Sequence, residues 1–290
     1  MLKYICYNWF GTIADHALDF GVEEYSRCGV TKLHNKTLDP TKINAGDIIF
    51  VKADFVYNGV FQMEYLPHIR KPFVLITGNS SYQVSKGAPI DSIVNSPYLS
   101  KWYCTNAPPI SEKIVPLPIG FEEVDREGGK QEVLHTMRAS RTSFINKKNK
   151  ILLPYHTLNT NAERASLVSC LRNLPFVETQ DNKLPFEDYL RKVDEYKFVI
   201  CLEGSGPDVH RNYEALLVDS VPINIKNLIE NLFSYYGLPG EFLSSWSELT
   251  EEYFGEMLAH NYDMKSSEKF LEIQYHTQNI KSTKEMMNEH

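Results

Sequence analysis

The stretch Phe198-Val-Ile-Cys-Leu-Glu-Gly-Ser-Gly-Pro-Asp-Val-His-Arg-Asn-Tyr-Glu-Ala-Leu216 decides the fold. Its first five residues are apolar, which predicts a buried strand over 198–202. Glycine and proline at 204–207 predict a turn, and Asp208 is placed to cap the helix that follows. Asp208 is either that cap alone or part of a binding site.

The start of this predicted helix carries His210, Arg211 and Glu214. A helix N-terminus has unpaired N–H groups and partial positive charge, so it suits an anionic phosphate. Arg211 presents a fork of donors for phosphate oxygens, and Glu214 lies on the same face to accept from ribose hydroxyls. Together these residues predict a nucleotide-diphosphate site. The plainer alternative is a solvated ion pair between Arg211 and Glu214, which is the commoner fate of such residues. A lone Gly-x-Gly is also a weak signal.

Length and composition favour an ordinary globular protein. The 290 residues suit one large or two ordinary domains, and a net charge of −7 argues against nucleic acid as a partner. We expect a cytoplasmic protein with no membrane span, because long apolar or polybasic runs are absent and the N-terminus is too polar for a signal peptide. Scattered cysteines without a Cys-x-x-Cys pair predict reduced core thiols; they are Cys6, Cys28, Cys104, Cys170 and Cys201.

Apolar runs alternate with helical stretches along the chain, which predicts an α/β fold with parallel sheets. We expect a first α/β domain over 1–125, a connector over 126–149, a second α/β domain over 150–260 and a helical tail over 261–290. The tail either returns to the first domain or stays apart. Ligands should bind in a cleft between the carboxyl ends of the strands of both domains.

Particular elements follow from the same patterns. Strands are expected at 4–7, 47–53, 72–77, 101–105, 113–117, 151–155, 198–202 and 221–225. Helices are expected at 55–69, 131–140, 162–171, 186–195, 246–260 and 266–287.

Residues 198–225, with the Gly-Ser-Gly-Pro-Asp-Val-His-Arg-Asn-Tyr-Glu-Ala-Leu core and the Val-Pro-Ile strand, resemble the donor-binding half of exostosin-like glycosyltransferases, family 47 and its relatives. Weaker agreement comes from 72–79, 115–120 and 239–251. Some such enzymes are encoded by large algal viruses, which would place the protein in the host cytoplasm. Animal exostosins are larger and membrane-anchored, and we expect this protein to differ from them in having neither the anchor nor a second catalytic module.

The resemblance implies a GT-B fold, in which two Rossmann-like domains face a cleft. It also implies a nucleotide-sugar donor and inversion at the anomeric carbon. By analogy Arg211 holds the diphosphate, Glu214 holds the ribose, and Gly204 and Ser205 let the backbone approach the donor. The expected activity is transfer from a UDP-sugar, such as UDP-xylose, to a hydroxyl of a glycan or glycoprotein acceptor, with no cofactor beyond the donor.

Further donor-side candidates lie in the predicted strand-to-helix loop at 155–164. Arg164 is either a second phosphate ligand or a surface arginine, and Thr160 or Asn161 is placed to cap the next helix. His156 is a weaker candidate. The sequence contains no Asp-x-Asp pair and no His/Cys cluster, so we expect no metal site and a metal-independent reaction.

A general base for the acceptor hydroxyl is expected on the first domain. Asp54 directly follows a predicted strand, while Asp15 and His16 lie in or just after the loop behind the first strand. Each has a plainer alternative, as a helix cap for the aspartates and as a packed side chain for His16. Asn79 and Ser80 are placed to bind acceptor hydroxyls.

The sequence supports other functions less well than glycosyl transfer. The main alternative is a catalytically silent nucleotide- or glycan-binding protein on the same scaffold. An NAD-dependent oxidoreductase is disfavoured because the loop after the first strand has only Gly11 and not a glycine series. A serine hydrolase is disfavoured because no Gly-x-Ser-x-Gly turn occurs.

Overall fold

The computed structural model of the protein describes residues 3–6, 9–19, 38–81, 83, 88–106, 111–158 and 163–288. The chain divides into two compact units. Unit 1 comprises Met1–Gly129 and Glu272–His290, and unit 2 comprises Lys130–Leu271. The expected connector at 126–149 therefore divides between the units, with 126–129 in unit 1 and 130–149 in unit 2. The expected tail divides as well, with 261–271 in unit 2 and 272–290 in unit 1.

Unit 1 contains a parallel five-stranded sheet whose strands follow chain order, β1-β2-β3-β4-β5. Val51 pairs with Thr77, which pairs with Cys104 in the next strand. The predicted α/β class is confirmed, and the expected strand at 4–7 is represented by isolated bridges at Tyr4 and Cys6. The strands are β1 His16–Leu18, β2 Asp47–Lys52, β3 Phe73–Gly78, β4 Leu99–Thr105 and β5 Ile114–Leu117.

The helices of this part of unit 1 are α1 Trp9–Thr12, α2 Ala53–Tyr57 and α3 Ala88–Val94. The single helix expected at 55–69 is wrong. The chain forms α2, then a π-helical turn Phe61–Tyr65 and a 3₁₀ turn Leu66–His68. Gly59 explains the break after α2, because its φ of 82° is a left-handed conformation that ends a helix.

Unit 2 also contains a parallel five-stranded sheet, in the order β10-β9-β8-β6-β7. Phe198 is central, because it pairs with Ile151 on one side and Val221 on the other. Strand β8 is bounded two residues earlier than the strand expected at 198–202. The strands are β6 Lys148–Leu153, β7 Val177–Thr179, β8 Tyr196–Ile200, β9 Val221–Ile225 and β10 Glu241–Leu243.

Helices cover this sheet on both faces. In the core on one face, the rings of Phe198 and Phe254 meet edge to face with their centroids 6.0 Å apart. The helix expected at 246–260 is interrupted, with a 3₁₀ turn at Trp246–Glu248 before a helix capped by Thr250. The helices of unit 2 are α4 Gln131–Ser140, α5 Arg164–Leu171, α6 Phe186–Asp194, α7 His210–Leu217, α8 Leu228–Tyr236, α9 Glu251–Ala259 and α10 Ser266–Phe270.

The last helix, α11 Ile273–Asn288, returns to unit 1. Its Ile273 and Ile280 pack with Phe50 and Ile76 on the sheet face opposite α2 and α3. Tyr103 fixes the contact, because its hydroxyl lies 2.7 Å from the Oγ1 atom of Thr283. Within the described ranges, no helix has the length and apolar character needed to cross a membrane.

Candidate functional site

The strand order of unit 2 places a ligand site at a particular edge. The strands run 2-1-3-4-5 when they are numbered within the unit, so the order reverses between β6 and β8. In open parallel sheets of this order, ligands bind outside the carboxyl ends of the strands at that reversal. The loops that follow β6 and β8, at 154–158 and 201–209, carry or contact most of the donor-site residues predicted from sequence.

Helix α7 begins at His210, as expected for the motif helix, but Asp208 does not cap it. The N-cap residue is Val209, which makes no side-chain capping bond. The Asp208 carboxylate instead accepts hydrogen bonds from the Tyr213 hydroxyl and, at 3.3 Å, from Asn212 Nδ2. The capping prediction is wrong because Asp208 stands one residue too early and binds side chains further along the helix.

Arg211 is held by three different partners on two segments. Its Nη2 atom donates to the Tyr155 carbonyl at 3.1 Å, and its Nε atom donates to the Tyr189 hydroxyl at 3.3 Å. Its Nη1 atom lies 2.7 Å from Nε2 of His156. The guanidinium of α7 is therefore fixed beside the loop that follows β6.

His156 orients this arginine and does not compete with it for a ligand. Because Nη1 of Arg211 only donates, Nε2 of His156 must accept, and the imidazole proton sits on Nδ1. Nδ1 then donates to the Pro154 carbonyl at 2.6 Å. Burial, with the charges of Arg211 and Arg164, lowers the pKa of His156 to about 2. The ring therefore stays neutral and both of its nitrogens are engaged.

Arg164, the first residue of α5, is buried, so the alternative of a surface arginine does not hold. Its Nε and Nη2 atoms donate to the carbonyls of Glu203 and Leu202 at 2.8 and 3.1 Å, and Nη1 donates to the Thr157 carbonyl at 3.2 Å. Burial, followed by the nearby charge of Arg211, lowers the pKa of Arg164. Arg164 thus joins the two loops on either side of the β6/β8 reversal.

Neither arginine contacts a carboxylate among the described residues, although Glu214 is linked to Arg211 through the Tyr189 hydroxyl. No ion pair joins Arg164 or Arg211 to a carboxylate of the residues that the structure describes. A guanidinium has five N–H donors, and three are used in each case, all on uncharged partners. Two neighbouring cations with donors to spare are suited to a doubly charged anion.

Glu214 lies on the same helix as Arg211 but does not pair with it directly. Its Oε2 atom accepts a hydrogen bond of 2.9 Å from the Tyr189 hydroxyl, which in turn accepts from Nε of Arg211. Burial and the Glu214 charge raise the pKa of Tyr189 well above its usual range, so the hydroxyl keeps its proton. Sequence reasoning missed Tyr189, because a tyrosine on the buried face of α6 gives no signal of its own.

Gly204 lies against Arg164. A Cβ atom at Gly204 would stand 3.6 Å from Nη2 of Arg164 and 3.5 Å from Cγ1 of Val209. Ser205 is exposed and His210 is half-buried, so both are near the surface of this loop and helix start. The Thr160 and Asn161 predictions lie outside the described residues.

The structure separates the candidate residues of unit 1 onto two edges of its sheet. Asp54 follows β2 in the first turn of α2, and Asn79 and Ser80 follow β3, all at carboxyl ends. Asp15 and His16 lie at the opposite edge, because His16 begins β1 and does not follow a strand. They are tied there, since Asp15 accepts from Lys284 at 2.6 Å and His16 lies 2.9 Å from the Asp47 carboxylate.

The carboxylate of Asp54 differs from Asp15 and His16 in its hydrogen bonding. Its Oδ2 atom is buried and has no hydrogen-bond partner among the residues that the structure describes. An acceptor without a donor is the state in which a carboxylate can take a proton from an incoming hydroxyl.

In the described part of the chain, no three His, Cys, Asp or Glu side chains group closely enough to hold a metal ion. A scan against protein-family models found no match to this chain, and a search of curated proteins found none either.

Proposed function

We propose that this protein is an inverting glycosyltransferase that moves a sugar from a UDP-sugar, with UDP-xylose as one candidate, to a hydroxyl of a glycan acceptor. One observation carries the proposal. Arg164 and Arg211 lie at the carboxyl edge of the unit 2 sheet, where the strand order reverses, and neither is paired with a carboxylate of the described chain.

A diphosphate is the natural counter-charge for this pair. Two guanidiniums close enough for one charge to lower the pKa of the other repel each other, and a dianion between or beside them removes that repulsion. The N-terminus of α7 adds partial positive charge. When the donor bond breaks, negative charge develops on the leaving diphosphate, and fixed cations stabilise it. The arginines then take the role that a divalent ion has in metal-dependent transferases.

The other predicted residues complete the proposed reaction. Glu214 accepts from the ribose hydroxyls, while Gly204 and Ser205 let the backbone approach the donor. In the first unit Asp54 takes the proton of the acceptor hydroxyl, a contribution typically worth ~10²–10⁴-fold in rate. The attack comes from the face opposite the leaving group, which inverts the anomeric carbon. A GT-B arrangement of the two units is part of this proposal.

Calorimetric titration of UDP and of UDP-sugars tests the donor site. Arg211→Gln should weaken UDP binding about 10- to 100-fold, because hydrogen bonds to charged groups contribute roughly 1.5–3 kcal/mol. Arg172→Gln is the matched control, since Arg172 is an exposed arginine of unit 2 that pairs with Asp181 at 2.7 Å. Equal UDP affinity in the wild type and Arg211→Gln would refute the site.

A catalytically silent nucleotide-binding protein is the second candidate. It is favoured by the position of Asp15 and His16, which leaves Asp54 as the one predicted base at a carboxyl end. Release of UDP from UDP-sugars in the presence of a panel of glycan acceptors separates the two functions. Tight UDP binding without release would favour the silent protein.

A further inference from the structure

The carboxyl edge of the unit 1 sheet carries a second group of polar residues that the donor site does not use. Asn79 follows β3 and Asn106 follows β4, and their φ angles are 56° and 54°. Asparagine adopts this left-handed conformation more readily than most residues with a Cβ atom. The two asparagines therefore make matching turns after adjacent strands.

Hydrogen bonds tie this edge together. Nδ2 of Asn79 donates to the carboxylate of Asp19, which follows β1, at 3.4 Å. Nδ2 of Asn106 donates to the Ser80 carbonyl at 3.5 Å. Both asparagine amides thus direct their N–H groups along the sheet edge, and Asp19, Asn79 and Asn106 are all buried. We name Asp19, Asn79, Thr105 and Asn106 the sheet-edge cluster.

Two oxygens of the cluster lack a hydrogen-bond donor. Oδ1 of Asn106 and Oγ1 of Thr105 are buried without a partner in the described chain, in residues that are only 8% and 5% exposed. Leaving a buried polar atom unsatisfied costs roughly 1–3 kcal/mol, and folded proteins rarely do so without a reason. Gly78 lies beside Thr105, because a Cβ atom at Gly78 would stand 3.5 Å from both Oγ1 and Cγ2 of Thr105.

The chemistry of these atoms defines the ligand. An amide oxygen only accepts hydrogen bonds, and the nearby Asp19 carboxylate repels a phosphate or another anion. The missing partner is therefore a group that donates hydrogen bonds and carries no negative charge. Neighbouring hydroxyls of a sugar meet this need, since each can donate to one oxygen and accept from a second group.

We propose that the sheet-edge cluster binds the acceptor sugar, with one sugar hydroxyl donating to Asn106 Oδ1 and another to Thr105 Oγ1. This inference rests on the proposed function, because the hydroxylated ligand is taken to be the acceptor of glycosyl transfer. Thr105 and Asn106 are then acceptor-binding residues beside Asn79, and Asp19 positions the Asn79 amide.

The test measures binding of free xylose, glucose and galactose to the full chain by saturation-transfer NMR titration. Thr105→Val removes the hydroxyl at constant volume, and Asn106→Gly removes the amide while it still permits the left-handed backbone. Each should weaken binding of the best sugar about fivefold or more, the loss of one hydrogen bond. The control Thr105→Ser keeps an accepting oxygen and should bind within about twofold of the wild type.

UDP titration of the same proteins separates this inference from the proposed function. UDP affinity should be equal in all four proteins, since the cluster lies in unit 1 and the donor site in unit 2. Sugar binding with no UDP binding would overturn the proposed donor site and leave sugar recognition at this edge standing. The inference is overturned if no sugar binds the wild type, or if Thr105→Val raises stability while sugar affinity is unchanged.

Discussion

Nη1 of Arg211 and Nε2 of His156 lie 2.7 Å apart, so a charged guanidinium donates to a neutral imidazole. The bond joins α7 to the loop after β6, and it exists only while His156 carries no charge. A second cation in the same position would repel Arg211 and release it. The folded protein therefore disfavours protonation of His156. Protonation would also disturb the position of Arg211 in the proposed donor site.

The first prediction concerns stability and pH. The pKa of His156 is about 2 when folded and about 6.5 when unfolded. Below pH 6.5 His156 binds a proton in the unfolded chain but stays neutral in the folded chain. The stability that is present above pH 6.5 is therefore lost as the pH falls towards 2. The loss is about 1.4 kcal/mol per pH unit, or about 2 kcal/mol between pH 6.5 and 5. Urea unfolding at several pH values measures it.

His156→Gln provides the comparison, because glutamine does not titrate and other groups contribute to both proteins. The wild type should lose about 2 kcal/mol more than this variant between pH 6.5 and 5. Arg211→Gln removes a repelling charge, so the pKa of His156 in the folded protein should rise. This variant should therefore lose less stability between pH 6.5 and 5 because of His156 than the wild type does. Parallel pH profiles for wild type and His156→Gln would contradict the assigned bond.

A second prediction concerns the hydroxyl of Tyr189, which lies between Arg211 and Glu214. Tyr189→Phe removes the donor of the buried Glu214 carboxylate and the acceptor of Arg211 Nε. We expect a loss of about 1–3 kcal/mol in unfolding free energy and weaker UDP binding, measured by urea unfolding and calorimetry. Tyr235→Phe, at an exposed tyrosine of α8, should change stability by no more than about 0.5 kcal/mol. Equal losses of stability and UDP affinity in the two variants would show that the Tyr189 hydroxyl has no special role in the site.

Much of the fold follows from local patterns in the sequence. The apolar runs behind β2, β3, β8 and β9 are buried on both faces, which is why their pattern predicts parallel strands. The short edge strands β1, β7 and β10 were missed, because three residues give no period to detect. The broken helix after β2 was also missed, although glycine at 59 is a residue type that adopts such a left-handed turn readily.

The site could be predicted in part. The pattern at 203–214 identifies the loop and the start of α7, because glycines and a charged helix start are local signals. The order of the strands in unit 2 could not be predicted, and this order brings Arg164 and His156 to the same edge as Arg211. Tyr189 and the bond to His156 depend on side-chain packing between segments that lie far apart in sequence. Asp15 was misplaced because the first strand was expected at 4–7, whereas β1 follows Asp15 and begins at His16.

A third prediction is that a substitution at Gly204 weakens UDP binding without lowering stability. Its conformation is open to alanine and the new Cβ would make ordinary contacts, so Gly204→Ala should keep or raise stability by about 0.4–1 kcal/mol. The methyl group would stand 3.6 Å from Nη2 of Arg164 and obstruct the approach of a phosphate. UDP binding should therefore weaken, as measured by calorimetry.

Gly255→Ala is its control, since nothing lies within 4 Å of a Cβ atom at that position of α9. It should stabilise the helix by about 0.5–1 kcal/mol and leave UDP affinity unchanged. If Gly204→Ala also binds UDP normally, a phosphate does not approach Arg164 past this glycine.

The last prediction distinguishes the two aspartates that the sequence offered as bases. Oδ2 of Asp54 lacks a donor among described residues, whereas Oδ2 of Asp15 accepts from the Ile48 N–H at 2.9 Å and from Lys284. Asp54→Asn should spare UDP binding and lower sugar transfer at least ~100-fold, the usual effect of losing a general base. Asp15→Asn should act chiefly on stability, by weakening bonds at the amino edge of the sheet. Turnover assays with urea midpoints measure both, and the reverse pattern would assign the base to Asp15.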